Sequence, residues 1–369
     1  MKPNRIILMV TVVVIGVVLI TRIGGSQEFR PALPGWIFVF PRDHAAHPEF
    51  KTEWWYYTGH LTSEQGEPFS YQLTFFRVGL RPPDPQARSA WALHTLYFAH
   101  LALTDIHGRR FVYHEKVDRG ALGLSGAAVP HYRVWIETWQ AELQGEEHHL
   151  QASAKDLTLN LRLTPEKPPV IHGENGLSRK AAGEGYASHY YSLTRLATNG
   201  RLTYQGHTFA VSGQSWMDHE FSSSQLAPDQ VGWDWFSLRL KDGNDLMLYI
   251  LRRQDGSLDP HSSGTLIDPR GNSRLLKLAD FQIQPLEFWY SPRSRCRYPS
   301  RWRIVVPGYG YELEVQPAIS DQELLTSQST RVTYWEGSVQ VRGNKQGEPL
   351  AGWGYVELTG YAGSLGGKF

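Results

Sequence analysis

Apolar side chains at every second position recur through this chain, and that spacing admits few folds. Leu157, Leu159, Leu161 and Leu163 alternate with Thr158, Asn160, Arg162 and Thr164. Successive side chains of an extended backbone point to opposite sides, so this is a strand with one dry and one wet face. Phe69, Tyr71, Leu73 and Phe75 against Ser70, Gln72 and Thr74 repeat the pattern, as do Tyr311, Leu313 and Val315 against Glu312 and Glu314. Turn residues punctuate these runs at Gly66, Gly108, Gly145, Asn199-Gly200, Gly206, Gly243-Asn244, Gly271-Asn272, Gly308 and Gly343-Asn344. Short strands joined by glycine-rich turns predict an all-β protein, a sandwich or a barrel. Beyond the N-terminus the only helix expected is a short one over residues 321–326.

The first 25 residues read differently. Residues 6–20 carry no charge and follow Lys2 and Arg5, the pattern of a signal or anchor segment. As a helix such a run rises about 22 Å, short of the ~30 Å hydrocarbon core, so a short anchor or a signal core fits better than a full span. Gly24 and Ser26 form a poor cleavage site, which leaves both retention as an anchor and cleavage open. Lys2 and Arg5 hold the N-terminus in the cytoplasm. The rest of the chain is therefore expected on the extracytoplasmic, periplasmic face of the cytoplasmic membrane.

About 340 residues follow, more than the roughly 250 at which a single core stops growing, so two domains are expected. An internal echo divides them. Glu53-Trp54-Trp55-Tyr56-Tyr57-Thr58-Gly59-His60-Leu61, a polar turn and Tyr71-Gln72-Leu73 resemble Trp233-Asp234-Trp235-Phe236-Ser237-Leu238, a turn and Leu248-Tyr249-Ile250, about 180 residues on. That separation is the size of one antiparallel barrel and predicts two in tandem. The domains are then a segment 1–25, an N-terminal barrel 36–225 and a C-terminal barrel 226–369. A loop over residues 165–185, rich in Pro and Gly, is long enough to serve a function.

Charge and motifs exclude several classes. With 37 basic and 36 acidic residues dispersed along the chain, no electrostatic footprint for nucleic acid exists. Cys296 is the only cysteine, which rules out an intrachain disulfide and a thiolate-rich metal site. No nucleophile elbow, zincin motif, phosphate loop or dinucleotide fingerprint occurs, and neither a cofactor nor a metal is expected.

Three constellations carry candidate chemistry. Asp43 and His47 lead into Glu53 and an aromatic strand whose faces alternate, with Trp54, Tyr56, Thr58 and His60 on one side and Trp55, Tyr57, Gly59 and Leu61 on the other. One face is expected to wall a cavity, since Trp and Tyr offer an apolar body with a polar tip. Tyr190 and Ser192 share one face of a second strand, and His189 and Tyr191 the other. In Trp216-Met217-Asp218-His219-Glu220-Phe221, Asp218 and Glu220 point together while His219 points away. All three therefore do not ligate one metal, but two buried carboxyls on one face make an acid and base pair. The candidate catalytic residues are Asp218, His219 and Glu220. The candidate ligand-binding residues are Asp43, His47, Glu53, Trp54, Trp55, Tyr56, His189, Tyr190 and Trp216. Glu146-Glu147-His148-His149 follows the turn Gln144-Gly145 and reads as a solvated hairpin tip.

Taken together, Phe40-Pro41-Arg42-Asp43-His44, His47, the Glu53 to Leu61 strand, His189-Tyr190-Tyr191-Ser192 and Trp216 to Phe221 resemble the AttH-like, carotenoid 1,2-hydratase-related family of lipocalin-like proteins. The resemblance runs from about Phe40 to Tyr361 and implies two calycin-type barrels in tandem. It also implies a choice of functions: hydration of the terminal double bond of acyclic carotenoids, a secreted hydrolase, or an envelope protein associated with an ABC exporter. Joined to the N-terminal segment, it leads to the expectation of a membrane-tethered protein that binds or modifies a lipophilic molecule in the N-terminal barrel, in concert with an ABC transporter. The alternative is a hydratase-like or hydrolase-like enzyme using the acidic pair in an aromatic cavity.

Overall fold

The computed structural model describes residues 28–82, 93–224 and 226–366. The apolar run 6–20, with the anchor or signal expected there, lies outside the described residues. Among the described residues no helix is long and apolar enough to cross a membrane.

The architecture is all-β, in two antiparallel sheets. The first is built from β1 (Thr52–Ser63), β2 (Pro68–Gly79), β3 (Thr95–Asp105), β4 (Arg110–Asp118), β5 (Ser125–Ala127), β6 (Arg133–Ile136), β7 (Trp139–Gln144), β8 (Glu147–Ser153), β9 (Leu157–Pro165), β10 (Val170–Ile171), β11 (Leu177–Arg179), β12 (Ala187–Tyr204) and β13 (His207–Ser224). Their order is β4-β3-β2-β1-β13-β12-β9-β8-β7-β6-β5, with β10 and β11 added to β12. β4 and β6 approach each other from the two ends of this order, so the sheet closes nearly to a barrel. The second sheet, a half-barrel, takes β14 (Gln230–Leu240), β15 (Asp245–Arg253), β16 (Ser263–Ile267), β17 (Ser273–Lys277), β18 (Gln282–Tyr290), β19 (Arg297–Val306), β20 (Tyr311–Pro317), β21 (Glu323–Leu325), β22 (Thr333–Lys345) and β23 (Glu348–Leu358). The order there is β17-β16-β15-β14-β23-β22-β20-β19-β18, with β21 on β22. The short helix expected over residues 321–326 is thus replaced by β21. Pairing with Thr333, Tyr334 and Trp335 of β22 supplies its backbone partners and overrides the local helix signal.

Burial along the strands shows where the sheets meet. β9 buries Leu157, Leu159, Leu161 and Leu163 and leaves Asn160, Arg162 and Thr164 in water. By contrast β1, the first half of β12, the second half of β13 and most of β14 and β15 are buried on both faces. One face of these strands packs into its own barrel and the other against the facing sheet. The barrel side of β1 carries Trp55, Tyr57 and Leu61 into a core filled with Leu73, Phe75, Leu101, Leu159 and Leu161. The outer side carries Tyr56, which joins Tyr190 and Trp216 in a cluster with Trp235, Met247, Tyr249 and Tyr355 of the second sheet.

Polar contacts fix this docking. Lys167 and Arg195 both reach the buried Asp245 carboxylate, at 2.7 and 2.8 Å. His60 bridges Arg239 and Ser338 at 2.8 and 2.9 Å. The 165–185 segment does not stand free as a loop. Its β10 and β11 lie on β12, His172 bonds Thr265 at 2.8 Å, and Ser178 bonds the Tyr249 hydroxyl at 3.0 Å.

Gly59 is required by this packing. It lies between β2 and β13, and a Cβ there would sit 2.4 Å from the Tyr71 ring and 2.5 Å from Ser215 Oγ, the two groups that bond each other at 2.7 Å above it. Gly59→Ala is expected to cost ~1–3 kcal/mol through overpacking, read as a lower urea midpoint with unchanged m-value; an unaltered midpoint would show that the strand tolerates the methyl.

Candidate functional site

A cavity of about 460 Å³ lies between the two sheets, within the range of small-molecule sites. It is not inside the N-terminal barrel, where ligand binding is expected from sequence. The barrel-facing aromatics of β1 are packed solid, and the face that walls a cavity is the outer one. Trp54, Tyr56, Phe76, Phe98, Trp233, Trp235, Tyr249 and Tyr334 form apolar walls, and Asp218, Glu220, Glu336, Glu357 and Lys180 supply charge or protons.

Asp218 occupies the middle of the wall. β13 is a central strand, with Tyr56 of β1 opposite Asp218 on one side and Ser192 of β12 on the other. Three donors converge on its Oδ1: Trp216 Nε1 at 3.0 Å, the Tyr190 hydroxyl at 3.1 Å and the Ser192 hydroxyl. Trp235 Nε1 in turn donates to Tyr190 at 3.1 Å. Among the described residues no donor reaches Oδ2. Burial dominates these hydrogen bonds and raises the pKa of the carboxyl from 3.8 to about 7. Asp218 is therefore largely protonated below neutrality, with one oxygen free to present the proton to the cavity.

Glu220, two residues along the same face, accepts from Ser188 and pairs with the Lys180 ammonium at 3.1 Å. Burial opposes the charge on Lys180, but Glu220, Tyr249 and Asp218 hold its pKa above the ordinary value. On the facing sheet burial raises Glu336 well above a normal carboxyl, with Glu357 adding to it, and lifts Glu357 to about 7 with help from Glu220.

The opposite face of the same strands carries a second, different cluster. Glu53 accepts from His47 Nδ1 at 2.8 Å and His219 Nε2 at 2.9 Å on one oxygen, and from Arg77 Nε at 2.9 Å on the other. His47 also faces Asp43 at 3.4 Å, and Tyr191 links His219 Nδ1 at 3.1 Å to His44 Nδ1 at 2.7 Å. Burial opposes the Glu53 charge, but Arg77, His219 and His47 keep its pKa well below the usual range. Burial lowers His219 and, more strongly, His44. Neutral His219 thus donates to Glu53 from Nε2 and accepts the Tyr191 proton at Nδ1. His47, Glu53 and His219 place donor atoms within 4.8 Å of one another, close enough for a metal to bridge. Arg77 already supplies positive charge to the same carboxylate, so the set reads as a closed ion cluster that fastens the segment before β1 to the barrel end.

The structure thus divides the sequence candidates. Trp54, Tyr56, Tyr190, Asp218 and Glu220 line the cavity, with Glu53 at its edge, and Trp216 touches it through Asp218. Asp43, His47, Trp55 and His219 belong to the ion cluster or the barrel core, Trp55 lying 4.9 Å from the His219 ring. His189 packs among Trp36, Phe50 and Phe221. Sequence reading missed Lys180, Trp233, Trp235, Glu336 and Glu357 as site residues. The Trp233-Asp234-Trp235 echo was a usable signal for the two tryptophans. The glutamates meet only through strand register.

Solved structures and curated sequences place this geometry among relatives. A putative AttH from Nitrosomonas europaea superposes with a TM-score of 0.82 at 35% identity, over 90% of this chain and all of that one. Kievitone hydratase from Nectria haematococca shares the fold, with a TM-score of 0.69 at 15% identity, over 92% of this chain and 97% of that one. The dehydratase AsqC of Emericella nidulans is 23% identical over 218 residues, 57% of this chain, and the chain spans 60% of the length of that curated relative. The AttH-like family model matches residues 31–361, and the chain belongs to the AttH-like family.

Proposed function

We propose that the protein is a hydratase-type enzyme, a hydro-lyase adding water to a carbon–carbon double bond or removing it, with a lipophilic substrate held between the two sheets. The observation that carries this reading is Asp218, a buried carboxyl with a pKa near neutrality and one oxygen facing an aromatic cavity. In the hydration direction the Asp218 proton passes to one alkene carbon, the π electrons forming the new C–H bond. The cation left on the neighbouring carbon is stabilised by the faces of Trp54, Tyr56 and Trp235. Water adds to it and gives up a proton to Glu220, which leaves the alcohol; exchange with solvent then restores both carboxyls. The names of two relatives support the reading, since hydratase and dehydratase describe one reversible reaction.

The same proposal keeps the tether. Lys2 and Arg5 before the apolar run support a catalytic portion on the extracytoplasmic side of the cytoplasmic membrane. There a lipophilic substrate would arrive from the bilayer or from an ABC export system.

Two outcomes are expected. When acyclic isoprenoids and related tertiary alcohols are incubated with the protein, Asp218→Asn should lower product formation by ~100-fold or more; equal product from both proteins would remove Asp218 from the reaction. The wild-type rate should fall as pH rises through about 7, where Asp218 loses its proton. The stability consequence has a fixed sign. The carboxyl ionises at 3.8 in the unfolded chain and about 7 in the fold, so its contribution to stability is lost as pH rises across that window. Urea unfolding at about pH 5 and about pH 8 should therefore show a smaller pH difference for Asp218→Asn than for wild type; identical differences would contradict the raised pKa.

A further inference from the structure

The reaction above makes no use of the carboxyl pair on the second sheet. Glu336 of β22 and Glu357 of β23 are direct cross-strand partners, and both line the cavity. Trp233 Nε1 donates to Glu357 at 2.8 Å, whereas Glu336 Oε1 is buried and accepts nothing. Beside it lies the buried Tyr56 hydroxyl from the first sheet, close enough to Glu336 for the two to interact but likewise outside hydrogen-bond geometry. Gln72 Oε1, on another strand of the same wall, is a third buried polar atom with no partner. Buried polar groups are nearly always paired in folded proteins. Here the facing Tyr56 and Glu336 and the nearby Gln72 Oε1 all line one cavity without a hydrogen bond of normal geometry, which leaves them open to a ligand oxygen.

We infer that Glu336 and Glu357, with Tyr56 and Gln72, form a recognition site for a hydroxyl or phenol oxygen of the ligand. The substrate class is then a lipophilic molecule that carries an oxygen function, rather than a pure hydrocarbon. The inference rests on the reading of the cavity as the substrate site and adds a second polar pole to it. Two adjacent carboxyls in an apolar wall do not both ionise. A carboxyl that keeps its proton both donates and accepts, so the pair is able to take the proton of a hydroxyl and to donate to its oxygen. The Tyr56 O–H adds a donor and Gln72 Oε1 an acceptor. Charged groups near the pair leave this arrangement in place: Glu220 is paired with Lys180, and Asp218 is held by its own three donors. Trp54, Phe76 and Phe98 offer apolar surface to the remainder of the molecule. A hydrocarbon filling the same space would supply none of the three with a partner.

Calorimetric titration with para-octylphenol and octylbenzene, two probes differing by one hydroxyl, tests this. Wild type is expected to bind the phenol at least ~10-fold more tightly than the hydrocarbon, the scale of a buried hydrogen bond. Tyr56→Phe should cut that preference several-fold and Glu336→Met should abolish it, with octylbenzene affinity held or improved. Asp218→Asn should leave the preference intact. Equal affinity of wild type for both probes overturns the polar pole while sparing the cavity as a lipophilic site. A preference that survives both Tyr56→Phe and Glu336→Met, or vanishes in Asp218→Asn alone, also overturns it. Binding of neither probe overturns both readings. Tyr56→Phe removes one oxygen and fills the same space, so its result stands even where Glu336→Met folds poorly.

Discussion

The central strands of both sheets are covered on two sides, and the chemistry of the site depends on that double burial. A strand at the surface of a barrel keeps its outward side chains in water, as β9 does with Asn160, Arg162 and Thr164. In β1, β12 and β13 the second sheet removes that water. Asp218 would be an ordinary ionised carboxylate on a solvated sheet; under Trp235 and Tyr190 it holds its proton to about neutrality. The lysine and arginine that converge on Asp245 help to hold the two sheets together.

Two sides of one strand show how opposite electrostatic states coexist a residue apart. Asp218 and Glu220 face the cavity, and His219 between them faces the barrel end. On the barrel side Glu53 is ionised because Arg77, His47 and His219 satisfy both of its oxygens. On the cavity side Asp218 has hydrogen-bond donors but no cation of its own, and desolvation prevails. A buried carboxylate with a full set of partners is structural, whereas one left with a free oxygen in a cavity is poised to transfer a proton. That contrast, rather than residue type, separates the ion cluster from the candidate active site.

Much of the fold was legible because period-two alternation survives any tertiary context. The leucines of β9, the split faces of the Trp54 to Leu61 strand and the shared face of Asp218 and Glu220 all follow from extended geometry alone. Which face meets a cavity was not legible, since β1 carries large aromatics on both sides and only the docking of the second sheet distinguishes them. His47, Asp43 and Glu53 looked like ligand-binding residues because acidic and imidazole groups near aromatics serve either purpose; Arg77, which closes their cluster, lies on another strand. Glu336 and Glu357 are separated by 20 intervening residues and meet through the pairing of β22 with β23, a register that composition does not encode. The strand over Glu323–Leu325 was hidden for the same reason.

The claim on which the rest stands is that the ligand lies between the sheets and not inside the first barrel. Crystals grown with a brominated alkylphenol, examined for anomalous scattering at the bromine edge, test it directly. Bromine density bounded by Trp54, Tyr56, Trp233 and Trp235 is the expected result. Density on the barrel side of β1, against Trp55 and Tyr57, would contradict it.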